Sequence, residues 1–304
     1  AAALTTAIIL AACGSSNSST TQSTISNEKV YKIGVLQLTQ HAALDQCNEG
    51  FFAALDESGI KYEADQQNAA GEQSACQTIA EKLVNDSNDL IYAIATPAAQ
   101  AVAGVTTEIP VVISAITDPA KSGLVASNDA PGGNVTGTSD LTPIKEQIEL
   151  LKQLLPEASK VGILYCSAEP NSEIQAEMAR QICADNGLES IDFTVSGLNE
   201  IQTVVESMVG KIDVIYTPTD NTIANGMSTV AMVATDHNLP IICGEKGMVD
   251  AGGLATYGID YYQLGYMAGQ MAVMPIGYLA ADQCELAVNE ETAKALNIDL
   301  SKIQ

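Results

Sequence analysis

Residues 90–116 read LIYAIATPAAQAVAGVTTEIPVVISAI and predict a strand, a helix and a second strand. The two ends, residues 90–95 and 111–116, are continuous apolar runs, which is typical of strands covered on both faces. Residues 97–107 place apolar side chains at helical spacing. The same order extends towards the N-terminus, with a strand at residues 33–36 and helices near residues 42–58 and 71–86. The pattern therefore predicts a parallel sheet with helices on both faces.

The alternation repeats in the second half of the chain. It predicts strands near residues 160–166, 190–195, 213–218 and 240–244, and helices near residues 171–187, 199–209 and 221–237. Segments rich in Gly and Thr at residues 130–138 and 252–258 are expected to cross between the halves, which makes a hinge. We predict an α/β fold of two doubly wound parallel-sheet lobes joined by a multi-strand hinge. The N-terminal lobe would contain residues 30–138 plus about 258–280, and the C-terminal lobe residues 139–257 plus about 281–304.

The N-terminal segment differs from the body of the chain. Residues 1–12 are small or apolar, which is typical of a signal peptide, and residues 10–13, LAAC, resemble the bacterial lipobox, in which the cysteine carries lipid. Residues 14–27 are almost entirely Ser, Thr, Asn and Gln, so we expect a lipidated Cys13 followed by a flexible tether that ends at residue 28. Several acyl groups on one cysteine attach a protein lastingly to a membrane. We therefore expect an extracytoplasmic, lipid-anchored protein.

Composition excludes several classes of partner. The chain of 304 residues has 37 acidic and 13 basic side chains, a formal net charge of −24, and Arg180 as its only arginine. Such a charge repels phosphate backbones, so nucleic-acid binding is excluded. His41 and His237 are the only histidines and lie far apart in sequence, so no metal site is predicted. Six further cysteines, at positions 47, 76, 166, 183, 243 and 284, are interpreted as buried thiols. A disulfide between one pair of them stays open as an alternative.

No catalytic or cofactor motif stands out. The sequence contains no Gly-x-Ser-x-Gly elbow, no Gly-x-Gly-x-x-Gly after the first strand and no P-loop lysine motif. A pair of carboxylates for glycoside chemistry cannot be singled out in so acidic a chain. A carrier that performs no chemistry and holds no cofactor is therefore favoured over a hydrolase or a sugar-modifying enzyme.

The candidate ligand-binding residues follow from the topology. In open parallel sheets, ligands bind beyond the carboxyl ends of the strands, and two facing lobes should bring both sets of loops to one cleft. The residues at these positions are Gln40, His41, Leu44, Asp45, Thr96, Pro97, Ser114, Ala115, Thr117 and Asp118 in the first half, and Ser167, Asn171, Ser172, Thr219, Asp220, Asn221 and Glu245 in the second.

Several of these motifs, in order and at consistent spacing, carry a family resemblance. They are QHAALD at residues 40–45, ATPAAQA at 95–101, SAITDP at 114–119, GGNVTG at 132–137 and TPTDN at 217–221. With them the chain, from about residue 30 to its end, resembles the tryptophan/tyrosine-type ABC-transporter substrate-binding proteins. The resemblance implies a type I periplasmic-binding fold, an aromatic L-amino acid as ligand, and an ABC permease and ATPase as partners. In similar proteins a longer segment precedes the strand after Met274, whereas here Pro275 follows directly.

An amino-acid ligand would need a different partner for each of its groups. Its carboxylate is expected at Thr96 and the turn at residues 114–117, where hydroxyls and helix N-termini favour an anion. Its ammonium is expected at Asp220 or Glu245. His41 is expected either to contact the ligand or to cap its helix, and Asp45, four residues along, could orient it. Tyrosines 92, 165, 216 and 257 are interpreted as core residues or aromatic walls.

Several functional alternatives stay open at this stage. Branched-chain amino acids, nucleosides and sugars are alternative ligands, and a lipid-anchored sensor of the same fold is an alternative role. We expect a monomer.

Overall fold

The computed structural model describes residues 29–273, 279–280, 284–296, 298 and 300. The strands of its first sheet are β1 (Val30–Gln37), β2 (Lys61–Asn68), β3 (Leu90–Ile94), β4 (Val111–Ile116), β5 (Val135–Ser139) and β11 (Leu279–Ala280). The strands of its second sheet are β6 (Lys160–Cys166), β7 (Glu189–Val195), β8 (Val214–Thr217), β9 (Ile241–Cys243), β10 (Ala255–Ile259) and β12 (Cys284–Val288). The helices are α1 (Ala42–Ser58), α2 (Gln73–Asn85), α3 (Thr96–Val105), α4 (Ile144–Leu154), α5 (Pro170–Asp185), α6 (Ile201–Met208), α7 (Asn221–Asp236), α8 (Lys246–Asp250), α9 (Tyr261–Val273) and α10 (Glu290–Ala295).

The two sheets define two lobes. Their strand orders are β11-β5-β4-β3-β1-β2 and β12-β10-β9-β8-β6-β7. Helices α1, α2, α3 and α9 pack on the first sheet, and α4 to α8 pack on the second. We call these units the first and the second lobe. The predicted α/β fold of two parallel-sheet lobes is confirmed, because the long apolar runs are strands covered by helices.

Two strands depart from the simple pattern. The sequence does not predict β2, because KYEADQQN contains no apolar run and each of its residues is exposed or only partly buried. It forms an edge strand that pairs in parallel with β1 along its whole length. β12 pairs antiparallel with β10, whereas the other described pairs of the second sheet are parallel.

The chain passes between the lobes more than once. It leaves the first sheet at the end of β5 and enters the second lobe at α4, and it returns between β10 and α9 through Asp260. A further crossing joins β11 to β12, and residues 281–283 of this crossing lie outside the described residues. Two lobes that are joined by more than one connection are expected to rotate about a hinge rather than to move independently.

Close packing of α1 against α9 fixes the returning segment to the first lobe. A Cβ atom on Gly265 would lie 1.9 Å from the carbonyl oxygen of Cys47, and a Cβ on Gly50 would lie 2.0 Å from that of Tyr262. Both distances are far below van der Waals contact, so each position requires glycine. The two helices therefore act as one body.

The described cysteines are Cys47, Cys76, Cys166, Cys183 and Cys243, whose thiols are free and buried, as predicted. The signal segment, Cys13 and the tether lie outside the described residues, as do Pro275 and the side chain of Cys284. Among the described residues, no helix is both long and apolar enough to cross a membrane.

Candidate functional site

The two lobes meet at the carboxyl ends of their strands and enclose a small cavity. It leaves only about 10 Å³ for the centre of a water molecule, so the lobes are nearly in contact there. A larger cavity of about 530 Å³, measured in the same way, opens beside it, and Asn221 lines both. The residues that line the small cavity are His41, Leu44, Ala115, Asp140, Asn171, Thr219, Asp220, Asn221, Ala224, Glu245 and Tyr261.

Eight of these residues belong to the set that the strand-end rule selects, and three do not. Asp140, Ala224 and Tyr261 are not among the predicted residues. Asp140 directly follows β5, so the same rule, applied to β5, would have found it. Tyr261 begins α9 after the return crossing, and its place in the cleft depends on how α9 packs on the first lobe.

Glu169 organises the second-lobe wall of the cleft. It is buried, and its Oε1 accepts hydrogen bonds from the backbone N–H and the hydroxyl of Thr222, each at 2.8 Å. Its Oε2 accepts from the backbone N–H and the side-chain amide of Asn221 and from the side-chain amide of Asn171. The carboxylate therefore satisfies the open N-terminus of α7. Glu169 was not predicted as a site residue, although it lies in the loop between β6 and α5, between the predicted Ser167 and Asn171.

Asp220 and Glu245 are buried helix caps on the cavity wall. Asp220 accepts from the backbone N–H of Ile223 at 2.7 Å and of Cys166 at 2.6 Å, and Glu245 accepts from the backbone N–H of Met248 at 3.0 Å and of Gly247 at 2.5 Å. Burial raises the pKa of Asp220 to about 7, with Glu169 adding to the shift. Burial also raises the pKa of Glu245 to about 7. Capping is thus the first role of both carboxylates.

Asp140 is a third carboxyl group on the cavity wall, at the crossing from the first lobe. It accepts from the hydroxyl of Tyr261 at 3.1 Å and from that of Thr117 at 3.3 Å. Burial raises its pKa to about 6. Thr117 in turn accepts from Nε2 of Gln175 on α5 at 3.0 Å. The hydrogen bonds that run from Asp140 through Thr117 to Gln175 therefore link the two lobes.

His41 also spans the cleft. Its Nε2 lies 3.1 Å from Oδ1 of Asn221 in the second lobe. The side-chain amide of Asn221 donates to Glu169, so its Oδ1 accepts and the His41 Nε2–H donates. Burial lowers the pKa of the His41 imidazole, which favours the neutral ring. Nδ1 is then a bare acceptor, and it is buried without a hydrogen-bond partner.

Two non-glycine residues with positive φ stand at strand ends of the first lobe. Ala95, which ends the turn from β3 into α3, has φ of 80°, and Ala115 in β4 has φ of 57°. Such conformations cost free energy and cluster at functional sites. No sequence signal reveals them, because alanine gives no hint of positive φ.

The structure does not bring the remaining predicted residues into the small cavity. Pro97 lines the larger cavity instead. Gln40 and Ser167 are exposed, and Ser114, Thr96 and Ser172 are fully buried. Asp118 faces its own turn, where it accepts from Asn128 and pairs with Lys121 at 3.8 Å. Asp45 accepts from Gln37 at 2.6 Å. The hydrogen bond to Asp45 that could orient His41 is not formed, and His41 Nε2 is bonded to Asn221 instead.

The four tyrosines considered as aromatic walls are not in the lining of either cavity. Tyr92 and Tyr216 are fully buried core residues, and Tyr92 stacks on Phe51 with ring centroids 3.9 Å apart. The Tyr165 hydroxyl donates to Asp192 on β7, the edge strand of the second sheet. The tyrosine that does reach the cavity is Tyr261.

Lysine and arginine are absent from the described lining of both cavities, whereas three carboxyl groups line the small one. The described residues contain no cluster of three or more His, Cys, Asp or Glu side chains that could hold a metal ion. The arrangement suits a small molecule with a positively charged group and hydrogen-bond donors.

Comparison with known proteins shows to which family this two-lobed architecture belongs. A family model described as "ABC transporter substrate binding protein" matches residues 32–302. A tyrosine-binding protein from Clostridioides difficile (strain R20291) is 41% identical over 297 residues, which cover 93% of this chain and 86% of that protein.

Two solved structures are similar at nearly equal sequence identity. The ABC domain from Streptococcus pneumoniae in complex with L-Trp is 38% identical, with a TM-score of 0.87, over 90% of this chain and 96% of that one. A ligand-free, open structure of a substrate-binding protein with adhesive properties from Clostridium difficile is 39% identical, with a TM-score of 0.68, over 89% and 96%. The family model, the curated relative and the two-lobed fold agree: this chain belongs to the family of ABC transporter substrate-binding proteins.

Proposed function

We propose that this protein captures an aromatic L-amino acid between its lobes and delivers it to an ABC permease driven by its ATPase. The observation that carries the proposal is the cavity between the lobes, whose described lining is rich in hydrogen-bond acceptors and contains neither Lys nor Arg. It lies in a chain that is 41% identical to a tyrosine-binding protein. The structural relative with L-Trp bound supports the same ligand class. Tryptophan, tyrosine and phenylalanine are the candidate ligands.

The ammonium group of such a ligand is assigned to the small cavity. Asp220 and Glu245 lie on its second-lobe wall, and Asp140 lies at the crossing from the first lobe. Three carboxyl groups in a cavity whose described lining contains neither Lys nor Arg attract a cation, because a buried charge is stabilised by an opposite charge at short distance.

The ligand's carboxylate and ring are assigned to the side of the larger cavity. Pro97 in the first turn of α3 lines that cavity, and the hydroxyl of neighbouring Thr96 is buried without a hydrogen-bond partner. A helix N-terminus with a free hydroxyl suits an anion. Leu38 and Leu198 also line the larger cavity, and Leu198 is 49% exposed. Covering such a leucine with an aromatic ring buries apolar surface on both partners.

The lobes are in the closed arrangement that a bound ligand would stabilise. Nε2 of Gln73 donates across the cleft to the carbonyl of Ala168 at 2.6 Å, and the His41–Asn221 hydrogen bond lies deeper. The higher TM-score with the L-Trp complex than with the ligand-free, open relative supports this assignment, because sequence identity to the two is nearly the same. Ligand entry then requires the lobes to separate about the hinge.

The cellular setting follows from the family. Members of the family are extracytoplasmic binding proteins, and we propose that lipid on Cys13 holds this protein, as a monomer, at the membrane beside its permease. The cleft described above binds its ligand without chemical change, so the proposed activity is non-enzymatic.

Isothermal titration calorimetry tests the proposal. The protein is titrated separately with L-Tyr, L-Trp and L-Phe and, for comparison, with L-Leu, adenosine and ribose. The aromatic amino acids are expected to bind most tightly. Asp220→Asn and Glu245→Gln are expected to weaken binding by more than tenfold if each carboxylate holds the ammonium. Asp118→Asn is the matched control, because that side chain faces its own turn. Binding of only nucleosides or sugars would refute the ligand class, and unchanged affinity in both variants would refute the assigned residues.

A further inference from the structure

The polar atoms of the small cavity are unbalanced in favour of hydrogen-bond acceptors. Besides the three carboxyl groups, Oδ1 of Asn171 is buried without a partner on a residue that is 3% exposed, and Nδ1 of His41 is also buried and unpartnered. The amide nitrogen of Asn171 donates to Glu169 and to the carbonyl of Thr219, so the oxygen cannot exchange places with it. A buried acceptor without a donor costs free energy, and a ligand that donates there restores it.

The same cavity offers no charged partner to a ligand carboxylate. Its described lining contains neither Lys nor Arg, and His41 is held neutral by burial. A carboxylate near Asp140, Asp220 and Glu245 would be repelled, so within the small cavity the electrostatic attraction to an amino acid comes from its ammonium. The N-terminus of α3, to which the carboxylate is assigned, lies on the side of the larger cavity and carries no formal charge. An ammonium ion carries three N–H donors, which match Asn171 Oδ1 and the carboxylate oxygens.

We propose that the site recognises the primary ammonium group as its dominant element, and that it therefore binds aromatic primary amines that lack the carboxylate, such as tyramine and tryptamine. The proposal rests on the proposed function for the aromatic part of the ligand. It goes beyond that function because it adds the decarboxylated amines as a second ligand class. Acids that keep the carboxylate and lack the ammonium are expected to bind far more weakly, because they bring no cation to the small cavity.

The test compares three ligand series on the unmodified protein by titration calorimetry at pH 7.5. The series are L-Tyr and L-Trp, the amines tyramine and tryptamine, and the deaminated acids 3-(4-hydroxyphenyl)propionate and indole-3-propionate. We expect each amine to bind within tenfold of its parent amino acid, and each acid to bind at least a thousandfold more weakly than its parent. Amines that fail to bind while the amino acids bind would overturn the inference and leave the proposed function standing. Failure of the aromatic amino acids, with amines bound, would refute the proposed function and support the inference.

Asn171→Ala tests the unpartnered acceptor separately from the carboxylates. If Oδ1 of Asn171 receives the ammonium, the variant should lose affinity for tyramine and for L-Tyr by the same factor, about tenfold. Asn48→Ala is the matched control, because Asn48 also lies on a helix with a buried, unpartnered Oδ1 and donates instead to Gln66, away from the cavity. Thermal melts establish that both variants fold. Equal affinities for Asn171→Ala and Asn48→Ala, or a loss confined to L-Tyr, would overturn the assignment.

Discussion

Acidification is expected to weaken ligand binding, because the cavity carboxyl groups must be ionised to hold an ammonium. Burial raises the pKa of Asp220 and of Glu245 to about 7 and that of Asp140 to about 6. A bound ammonium favours the ionised forms and lowers these pKa values, so binding releases protons near neutral pH. The amino group and the carboxyl group of the ligand do not titrate between pH 5 and 8, so the protein alone sets the dependence.

The size of the effect follows from the ionised fractions. A carboxyl group whose pKa is raised to about 7, as for Asp220 and Glu245, is about 1% ionised at pH 5 and about 90% ionised at pH 8. If the ammonium requires one such carboxylate, the affinity falls about 90-fold between pH 8 and pH 5, or about 2.7 kcal/mol. A requirement for a second carboxylate would make the fall steeper.

The stability of the unliganded protein should respond in the opposite sense. The folded-state pKa values of these three groups lie above their ordinary values, so the folded state binds protons more tightly than the unfolded state. Their contribution to the free energy of unfolding is therefore fully present below about pH 4, and it is lost as the pH rises through about 6 to 7. Asp140→Asn should remove part of this dependence, because the hydroxyl partners of Asp140 can rotate to suit an amide.

Calorimetry in two buffers with different heats of ionisation measures both the affinity and the protons released. L-Tyr is titrated from pH 5 to 8, and thermal melts of the unliganded protein and of Asp140→Asn cover the same range. An affinity for L-Tyr that is constant from pH 5 to 8, together with no proton release at pH 6.5, would refute the assignment of the ammonium to these carboxylates.

Three further predictions concern packing, the buried network and the cleft edge. Gly265→Ala should lower the free energy of unfolding by about 1–3 kcal/mol, because the added Cβ overlaps a backbone carbonyl. The control Gly104→Ala, on an open helix surface, should be neutral or stabilising. Equal midpoints of the two variants in denaturant unfolding would contradict this prediction. Glu169→Gln should lower the free energy of unfolding by about 2–4 kcal/mol in the same assay, because an amide N–H₂ would face the donors that the carboxylate now satisfies. An unfolding midpoint equal to that of the wild type would show that the hydrogen bonds of Glu169 are dispensable. Gln73→Ala should speed ligand release about two- to tenfold in stopped-flow measurements, since it removes a hydrogen bond between the lobes. Gln77→Ala, one turn along and bonded within its own helix, should not change the rate, and identical rates for both variants would exclude a role for the cleft edge.

The amino-acid sequence alone determined the architecture of this protein. Continuous apolar runs such as residues 111–116 can be buried only between two layers of helices, so their alternation with amphipathic segments specifies two parallel sheets. The strand-end rule then selects residues such as His41, Asp220 and Glu245, because every parallel strand delivers its following loop to the same edge. The polar edge strand β2 escaped this reasoning, because exposure on both faces leaves no periodic signal.

Tertiary structure alone decided which strand-end residues share the cavity. Asp118 and Asp140 both follow strands of the first sheet, yet Asp118 folds back on its own turn and Asp140 enters the cleft beside Tyr261. The unpartnered oxygen of Asn171 is likewise invisible in the sequence, because its state depends on Glu169 and Thr219 occupying the amide nitrogen. Whether a polar atom is satisfied is a property of contacts between distant segments, and local sequence does not encode such contacts.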